Sequence, residues 1–414
     1  MSAARWAYRL HPDCAPQPPR GQGAAWTALR AGFVTDAALA RVGGPPSALL
    51  LLQLHRAGLL QRELRWGAQA WARLQPQRAP AAAPPAPLSR GRLQLLRQVL
   101  VHASDEGLTL EAPGGWARIS LLRPELLVLL DALARGCSPA RAQRLLPQAP
   151  GIVQPLLETL AWCGLLARPD APAWAAHDLL FHSRTRRGFG REAVGRLSAP
   201  QQLLPLPEGP RLVLARGCPA DLPGSLAQTL AARRSLREQA GDAALSLADL
   251  GRLLWHTLAV QTLAGRTRRP YPGGGRCYAL LPFLVVSRCA GLEAGLYAYD
   301  ASLHELIHMP DHTAARQSLM QEATGSAQTR NPPQVLLVLC ADYARMRSAY
   351  GDLGYSLLLK EVGAVMQTAQ MVATALNLAC CPLGTGDARL FAGLSGTEAL
   401  QWPAVGELML GSPA

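Results

Sequence analysis

Apolar and polar residues along the first half of the chain fall into helical spacing, with leucines facing one way at Leu51 and Leu54 and again at Leu157 and Leu160. The flanking signals repeat as well. Thr35 predicts a cap for a helix over 36–41, and Ser47 a cap for a longer one that ends at Ala57-Gly58-Leu59-Leu60. Ser138 with Pro139 predicts a short helix, and a longer one ends at Cys163-Gly164-Leu165-Leu166. In both copies Gly stops the helix and Leu-Leu starts an extended piece. Leu108 to Glu111 and Ala117 to Ser120 alternate like a small hairpin. The layout is that of a winged helix, present twice.

From about residue 200 strands and helices mix. Helices are expected over 222–234, over 247–259 behind Ser246, and over 355–378. Strands are expected over 279–287, 295–299 and 335–340. A Pro/Ala-rich stretch over 75–89 is too stiff and too poor in large apolar groups to fold, and reads as a tether. A second loosening lies near 168–178. The expected organisation is a first winged-helix-like module over 1–75, a linker over 76–89, a second module over 90–178, and a C-terminal domain over 179–414.

Composition narrows the classes. The 414 residues are 49% hydrophobic and 17% charged, which excludes a disordered chain. No apolar run approaches the roughly 20 residues that span a bilayer. The N-terminus has no apolar core ahead of a cleavage site. A cytoplasmic protein with no membrane partner is expected.

The net charge of +13 invites a nucleic-acid reading. Lys360 is the one lysine among 41 basic residues, so the excess is arginine and reflects a coding bias. The arginines are scattered, and the candidate recognition helix over 140–146 is mostly apolar. Nucleic acid is therefore set aside, and a polyanionic cofactor or an acidic peptide segment suits the charge. Nine cysteines without a C-x-x-C pair read as buried free thiols. His304, His308 and His312 fall four apart, but Pro310 interrupts them and no metal site is expected.

Four segments could carry chemistry. Arg233-Arg234-Ser235-Leu236-Arg237 ends a helix, and guanidiniums around a hydroxyl suit a phosphate monoester. Arg268 to Gly275 reads RRPYPGGG: two prolines, then three glycines whose unshielded backbone lets a flat ring or a phosphate approach. It fits neither G-x-G-x-x-G nor the P-loop. Ser348 to Tyr355 leads into Glu361, Gly363 and Gln367 on the long helix. Pro382 to Asp387 follows that helix.

In this order the four segments resemble the nitroreductase superfamily, and within it the SagB/McbC-like azoline dehydrogenases of ribosomal peptide clusters. The matching phrases include FHSRTRRGFG (Phe181 to Gly190), RRSLR, LSLADLGRLLW, RPYPGGG, GLYAYDASLHEL, YGDLGYSLLLKEVGAVMQ and CPLGTGD. The N-terminal pair resembles the leader-peptide-binding modules that precede some members.

The resemblance implies an α+β fold: a mostly antiparallel sheet flanked by helices, dimeric, with FMN at the dimer interface. Arg233, Ser235 and Arg237 match the family's phosphate clamp. Pro272, Gly273, Gly274 and Gly275 match the loop beside the flavin ring, with Gly273 in place of the usual serine. Leu383, Gly384 and Thr385 match the turn at the flavin N5 edge, and Arg389 is a further phosphate candidate. Tyr350 matches the tyrosine of a catalytic Lys-Tyr pair, while Ala349 stands where the family has lysine. The implied function is oxidation of thiazoline or oxazoline to azole in a precursor peptide, alongside a cyclodehydratase. The alternatives are an FMN oxidoreductase acting on a small molecule and a diverged subunit that scaffolds the complex.

Overall fold

The computed structural model describes residues 4–12, 14, 18, 22–44, 46–80, 88, 91–113, 115–167, 175–185, 206–263 and 265–414. Most of the expected Pro/Ala tether, the loosening over 168–174 and the end of the Phe181 to Gly190 phrase lie outside them. Two compact units divide the chain, Met1–Ala193 and Val194–Ala414.

Among the described residues the first unit holds seven strands: β1 (Ala4–Leu10), β2 (Val34–Thr35), β3 (Leu60–Trp66), β4 (Gln69–Pro76), β5 (Leu100–Ser104), β6 (Gly107–Glu111) and β7 (Ala117–Leu121). They form one antiparallel sheet in the order β2-β1-β3-β4-β7-β6-β5. The helices are α1 (Gly23–Ala31), α2 (Asp36–Gly43), α3 (Pro46–Arg56), α4 (Leu126–Arg135), α5 (Pro139–Arg144), α6 (Pro150–Trp162) and α7 (Ala176–Thr185). Thr35 and Ser138 cap α2 and α5 through their hydroxyls. Ser47 does not cap α3: the helix already starts at Pro46, and the Ser47 hydroxyl donates to the Gly44 carbonyl at 2.6 Å. Gly58 and Gly164 end α3 and α6 in the left-handed region. β4 pairs with β7 from Ala72 opposite Leu121 to Pro76 opposite Ala117, so segments on both sides of the Pro/Ala stretch share one sheet. Arg184 on α7 reaches both carboxylate oxygens of Glu111 on β6 at 2.8 Å.

The second unit contains β8 (Arg211–Val213), β9 (Gln261–Leu263), β10 (Arg266–Arg268), β11 (Leu280–Val286), β12 (Gly295–Asp300), β13 (Glu305–Met309), β14 (Val335–Ala341), β15 (Ala379–Pro382) and β16 (Ala404–Gly411). Its helices are α8 (Leu226–Ala232), α9 (Leu247–Thr257), α10 (Thr313–Ala327), α11 (Tyr343–Tyr350), α12 (Gly354–Ala375) and α13 (Ala388–Ser395). The main sheet is antiparallel in the order β15-β16-β14-β11-β12-β13-β8, and β9 with β10 makes a separate small hairpin.

Every residue of β11 and β14 is buried, because α9, α11 and α12 cover one face of the sheet and α10 and α13 the other. That double cover is why both strands read as unbroken apolar runs. It is also the helix-flanked antiparallel sheet that the resemblance implies.

Two local expectations change. The helix over 222–234 is reduced to α8, because Pro223 and Gly224 (φ +92°) break the backbone and Ser225 caps a new start at 3.2 Å from the Gln228 N–H. The helix over 355–378 stops at Ala375, where Asn377 turns left-handed and sends the chain into β15. The His304 ring is fixed by Tyr299 Oη at 2.7 Å on Nδ1 and by the Ala215 carbonyl at 3.0 Å on Nε2, so both nitrogens are used structurally. Among the described residues no cluster of His, Cys, Asp or Glu could hold a metal ion, and no helix is long and apolar enough to cross a membrane. No disulfide joins any of the nine cysteines, and seven of them are buried.

Candidate functional site

The turn over 383–385 and Arg389 lie on the α10 and α13 side of the sheet, while the other candidate residues gather in two groups at the two ends of α12. At its C-terminal end the chain leaves α8 through Arg233, whose extended ψ of 121° ends the helix. The following residues run along β15, with the Leu236 N–H on the Cys380 carbonyl at 3.1 Å. The Ser235 hydroxyl accepts from Gln370 Nε2 at 2.9 Å, and Arg237 lies against the Cys381 thiol. Burial pushes that thiol up while the guanidinium pulls it down. Ser235 and Arg237 are exposed and Arg233 is half-buried, so the three present cationic and hydroxyl donors to solvent.

The Leu383 to Thr385 turn lies at the far end of β15 from the same segment. Its first N–H donates to the Glu407 carbonyl at 2.9 Å, and the Thr385 hydroxyl pairs with Ser326 at 2.9 Å. Gly386 continues the turn, where a β-carbon would stand 2.1 Å from Glu407 Oε1. Asp387 then caps α13 and places Arg389, exposed, in its first turn. Burial, with the nearby Asp387, pushes the Glu407 carboxyl up to about 7.

The second group surrounds the glycine loop. Pro272 to Gly275 turns sharply, with Gly275, Arg276 and Tyr278 at φ +55°, +60° and +46°. A β-carbon on Gly273 would lie 2.8 Å from the Tyr278 ring and 3.3 Å from Glu361 Oε2, which is why serine's extra bulk has no room there. A β-carbon on Gly275 would lie 2.0 Å from Tyr350 Oη. Tyr350 closes α11, which Asp342 caps by accepting from the Arg345 N–H at 3.0 Å. Ala349 is fully buried within the core under α12.

Glu361 on α12 is 2% exposed, and neither of its oxygens makes a well-directed hydrogen bond. Burial pushes it up to about 7, against the pull of Arg269, the Gly274 and Ala279 N–H groups and Arg345. Sequence reasoning named Glu361 within a segment that could carry chemistry but gave it no role, and it passed over Glu407. For Glu361 the available signal was a carboxylate within the apolar run of α12.

The two groups do not meet within one chain. Leu357 touches Gly274, and Gln370 holds Ser235. Thirteen residues of α12 separate them, about 20 Å of helix.

The nitroreductase family model matches residues 230–411. A nitroreductase-type protein of Methanocaldococcus jannaschii is 29% identical over 163 residues, covering 38% of this chain and 78% of its own. The microcin B17-processing protein McbC of Escherichia coli is 31% identical over 117 residues, covering 28% of this chain and 43% of its own. The solved E. coli microcin synthetase McbBCD complex, with truncated pro-MccB17 bound, matches at 24% identity and a TM-score of 0.38, over 42% of this chain and 67% of that one. The C-terminal region of the chain, centred on residues 230–411, is a nitroreductase-family domain similar in sequence to McbC.

Proposed function

We propose that the protein is an FMN-dependent dehydrogenase that oxidises azoline rings to azoles in a ribosomally made peptide. The observation that carries this reading is the glycine loop: three residues without β-carbons, with the Tyr350 hydroxyl pressed against the third. Similarity to McbC points the chemistry toward peptide rings.

The residues present fit the cofactor. Arg233, Ser235 and Arg237 would hold a phosphate, with Arg389 a further candidate, and the turn over 383–385 would face the flavin N5 edge. Pro272 to Gly275 offers backbone close enough to face a flat ring. Because the α12 residues that touch the two groups lie about 20 Å apart along the helix, FMN would be held between two copies of the chain, each contributing one group. A homodimer is therefore part of the proposal.

Bound FMN supplies an acceptor for hydride. The ring gives up one C–H as hydride and one as a proton, and gains aromaticity. Tyr350, whose hydroxyl lies beside Gly275, would take or relay that proton. The peptide is recruited by the first unit, where among the described residues β5 ends the sheet beside β6 and leaves an edge for strand addition. A cyclodehydratase supplies the azoline.

Ala349 favours a second reading. At 0% exposure it holds no side chain toward the loop, so the family's lysine has no counterpart there. A subunit that organises the modifying complex without oxidising anything would look the same. Mass spectrometry of an azoline-bearing precursor separates the two. Loss of about 2 Da per ring, as one proton and one hydride, supports oxidation. An unchanged mass with flavin-loaded protein supports the scaffold.

A further inference from the structure

A cavity of about 470 Å³ opens beside the glycine loop, within the second unit, and its charge is one-sided. Four guanidiniums border it, those of Arg268, Arg269, Arg276 and Arg345, with Tyr278 and Ser302, and no carboxylate lines it. The volume is in the range of small-ligand sites.

The arginines are held in place by backbone. Arg269 donates to the Leu258 carbonyl at 3.3 Å and lies over the Tyr278 ring at 5.6 Å. Arg276 donates to the Thr267 carbonyl at 2.9 Å, and Arg345 to the Cys277 carbonyl at 2.8 Å. Two of the lining residues, Arg276 and Tyr278, sit in left-handed backbone, which costs on the order of 1 kcal/mol or more each for a residue with a side chain. Strain of this kind persists where the surroundings enforce it, and here it turns Arg276 and Tyr278 toward the same hollow.

The local charge is only partly answered. Glu361 lies behind the cavity in the field of Arg269 and Arg345. Arg268 and Arg276 have no acidic partner among the described residues. Clustered guanidiniums repel one another, and a carboxylate bound bidentately relieves that repulsion. Gly275 borders this cavity and also touches the Tyr350 hydroxyl, so an anion held here is anchored next to the proposed reaction centre.

We propose that this cavity is a carboxylate subsite that selects peptides carrying an acidic group close to the ring to be oxidised. The proposal rests on the peptide-oxidase reading and adds its substrate class: an Asp or Glu side chain, or the peptide's own C-terminal carboxylate. Peptides with a basic residue at that distance are disfavoured by like charge.

Calorimetric titration of the full-length protein, with and without FMN, tests it using three probes. One is acetyl-Gly-Asp-Gly-Asp-Gly-amide, one is pentaglycine with a free C-terminus and an acetylated N-terminus, and one is acetyl-Gly-Asn-Gly-Asn-Gly-amide. The expected result is binding of the first or second probe, and not of the third. Which of the two binds identifies the source of the carboxylate. The Arg268→Ala/Arg276→Ala double variant should weaken that binding roughly ten- to hundredfold. An Arg41→Ala variant in the first unit should leave it unchanged.

Equal binding of the uncharged probe, or unchanged binding in the double variant, overturns the subsite. So does loss of acidic-probe binding whenever FMN is loaded, because the cavity would then belong to the cofactor. Flavin content and the mass change of an azoline precursor are read separately. Protein that binds the acidic probe but carries no flavin keeps the subsite and overturns the oxidase reading.

Discussion

The phenolic oxygen of Tyr350 stands 2.0 Å from the point where a β-carbon on Gly275 would be. Position 275 therefore admits only glycine for two independent reasons: the space is taken, and φ is +55°. Gly275→Ala is expected to cost at least about 1–2 kcal/mol of stability and to displace the tyrosine. In a Tyr350→Phe background the steric part is relieved and the backbone part remains, so the two changes should be non-additive. Thermal unfolding of the two single variants and the double variant measures the coupling. Strict additivity would show that ring and loop do not touch. On the reaction, Tyr350→Phe should lower turnover while leaving flavin content at the wild-type level.

Glu361 makes stability depend on pH with a definite sign. Its carboxyl titrates near 7 in the folded chain, above the ordinary glutamate value of about 4.3. Between those pH values the folded state binds a proton that the unfolded chain has released, so stability falls as pH rises through the window. Glu361→Gln keeps the neutral shape and removes the titration. At pH 8 the variant should be more stable than wild type by about 2–3 kcal/mol, and at pH 4 nearly equal. Glu407, pushed to about 7 by burial, titrates in the same window, so some slope should persist in the Glu361 variant. Denaturant unfolding at pH 4, 6 and 8 is the measurement. Parallel curves for the two proteins would remove Glu361 from the account.

How far these groups could be read in advance follows from the range of the forces involved. The caps at Thr35, Ser138 and Ser246 are local hydrogen bonds between residues three apart, and all three are where the sequence puts them. The runs over β11 and β14 were legible because burial on both faces writes itself as continuous apolar sequence. The break before α8 was equally local, in Pro223, Gly224 and Ser225, and was passed over in favour of the apolar run that follows. What no local pattern carries is the pairing of β4 with β7 across the Pro/Ala stretch, or the placement of Glu361 beneath Gly273. Both depend on contacts between residues far apart in sequence. The two site groups were legible as motifs, but their separation along α12 was not, since spacing in sequence says nothing of which end of a helix a distant loop will meet.

The burial of Ala349 limits what a lysine introduced there could do. The position is fully buried among the core residues of α11 and α12. Ala349→Lys would place an ammonium there without a partner, at a cost of several kcal/mol. The melting temperature is expected to fall on the order of 10 °C, with no gain in oxidation. A variant that melts within a degree or two of wild type and oxidises faster would mean that the helix can rotate to present this position at the loop.

The proposed phosphate-binding group offers the sharpest separation of cofactor binding from folding. Arg237 is exposed and its one described side-chain partner is the Cys381 thiol, so its removal should leave the fold intact. A charge-assisted hydrogen bond to phosphate contributes about 1.5–3 kcal/mol. Arg237→Ala should therefore weaken FMN binding roughly tenfold or more, with unchanged melting of the flavin-free protein. Ser235→Ala should weaken it less. It also frees Gln370 Nε2, which otherwise donates to the hydroxyl at 2.9 Å, so Gln370→Leu in the same background should restore any stability lost. Flavin absorbance after dialysis against FMN-free buffer reads the first effect, and thermal unfolding the second. Wild-type flavin retention in the Arg237 variant would mean that the phosphate sits elsewhere, and the assignment of this end of α12 would fail with it.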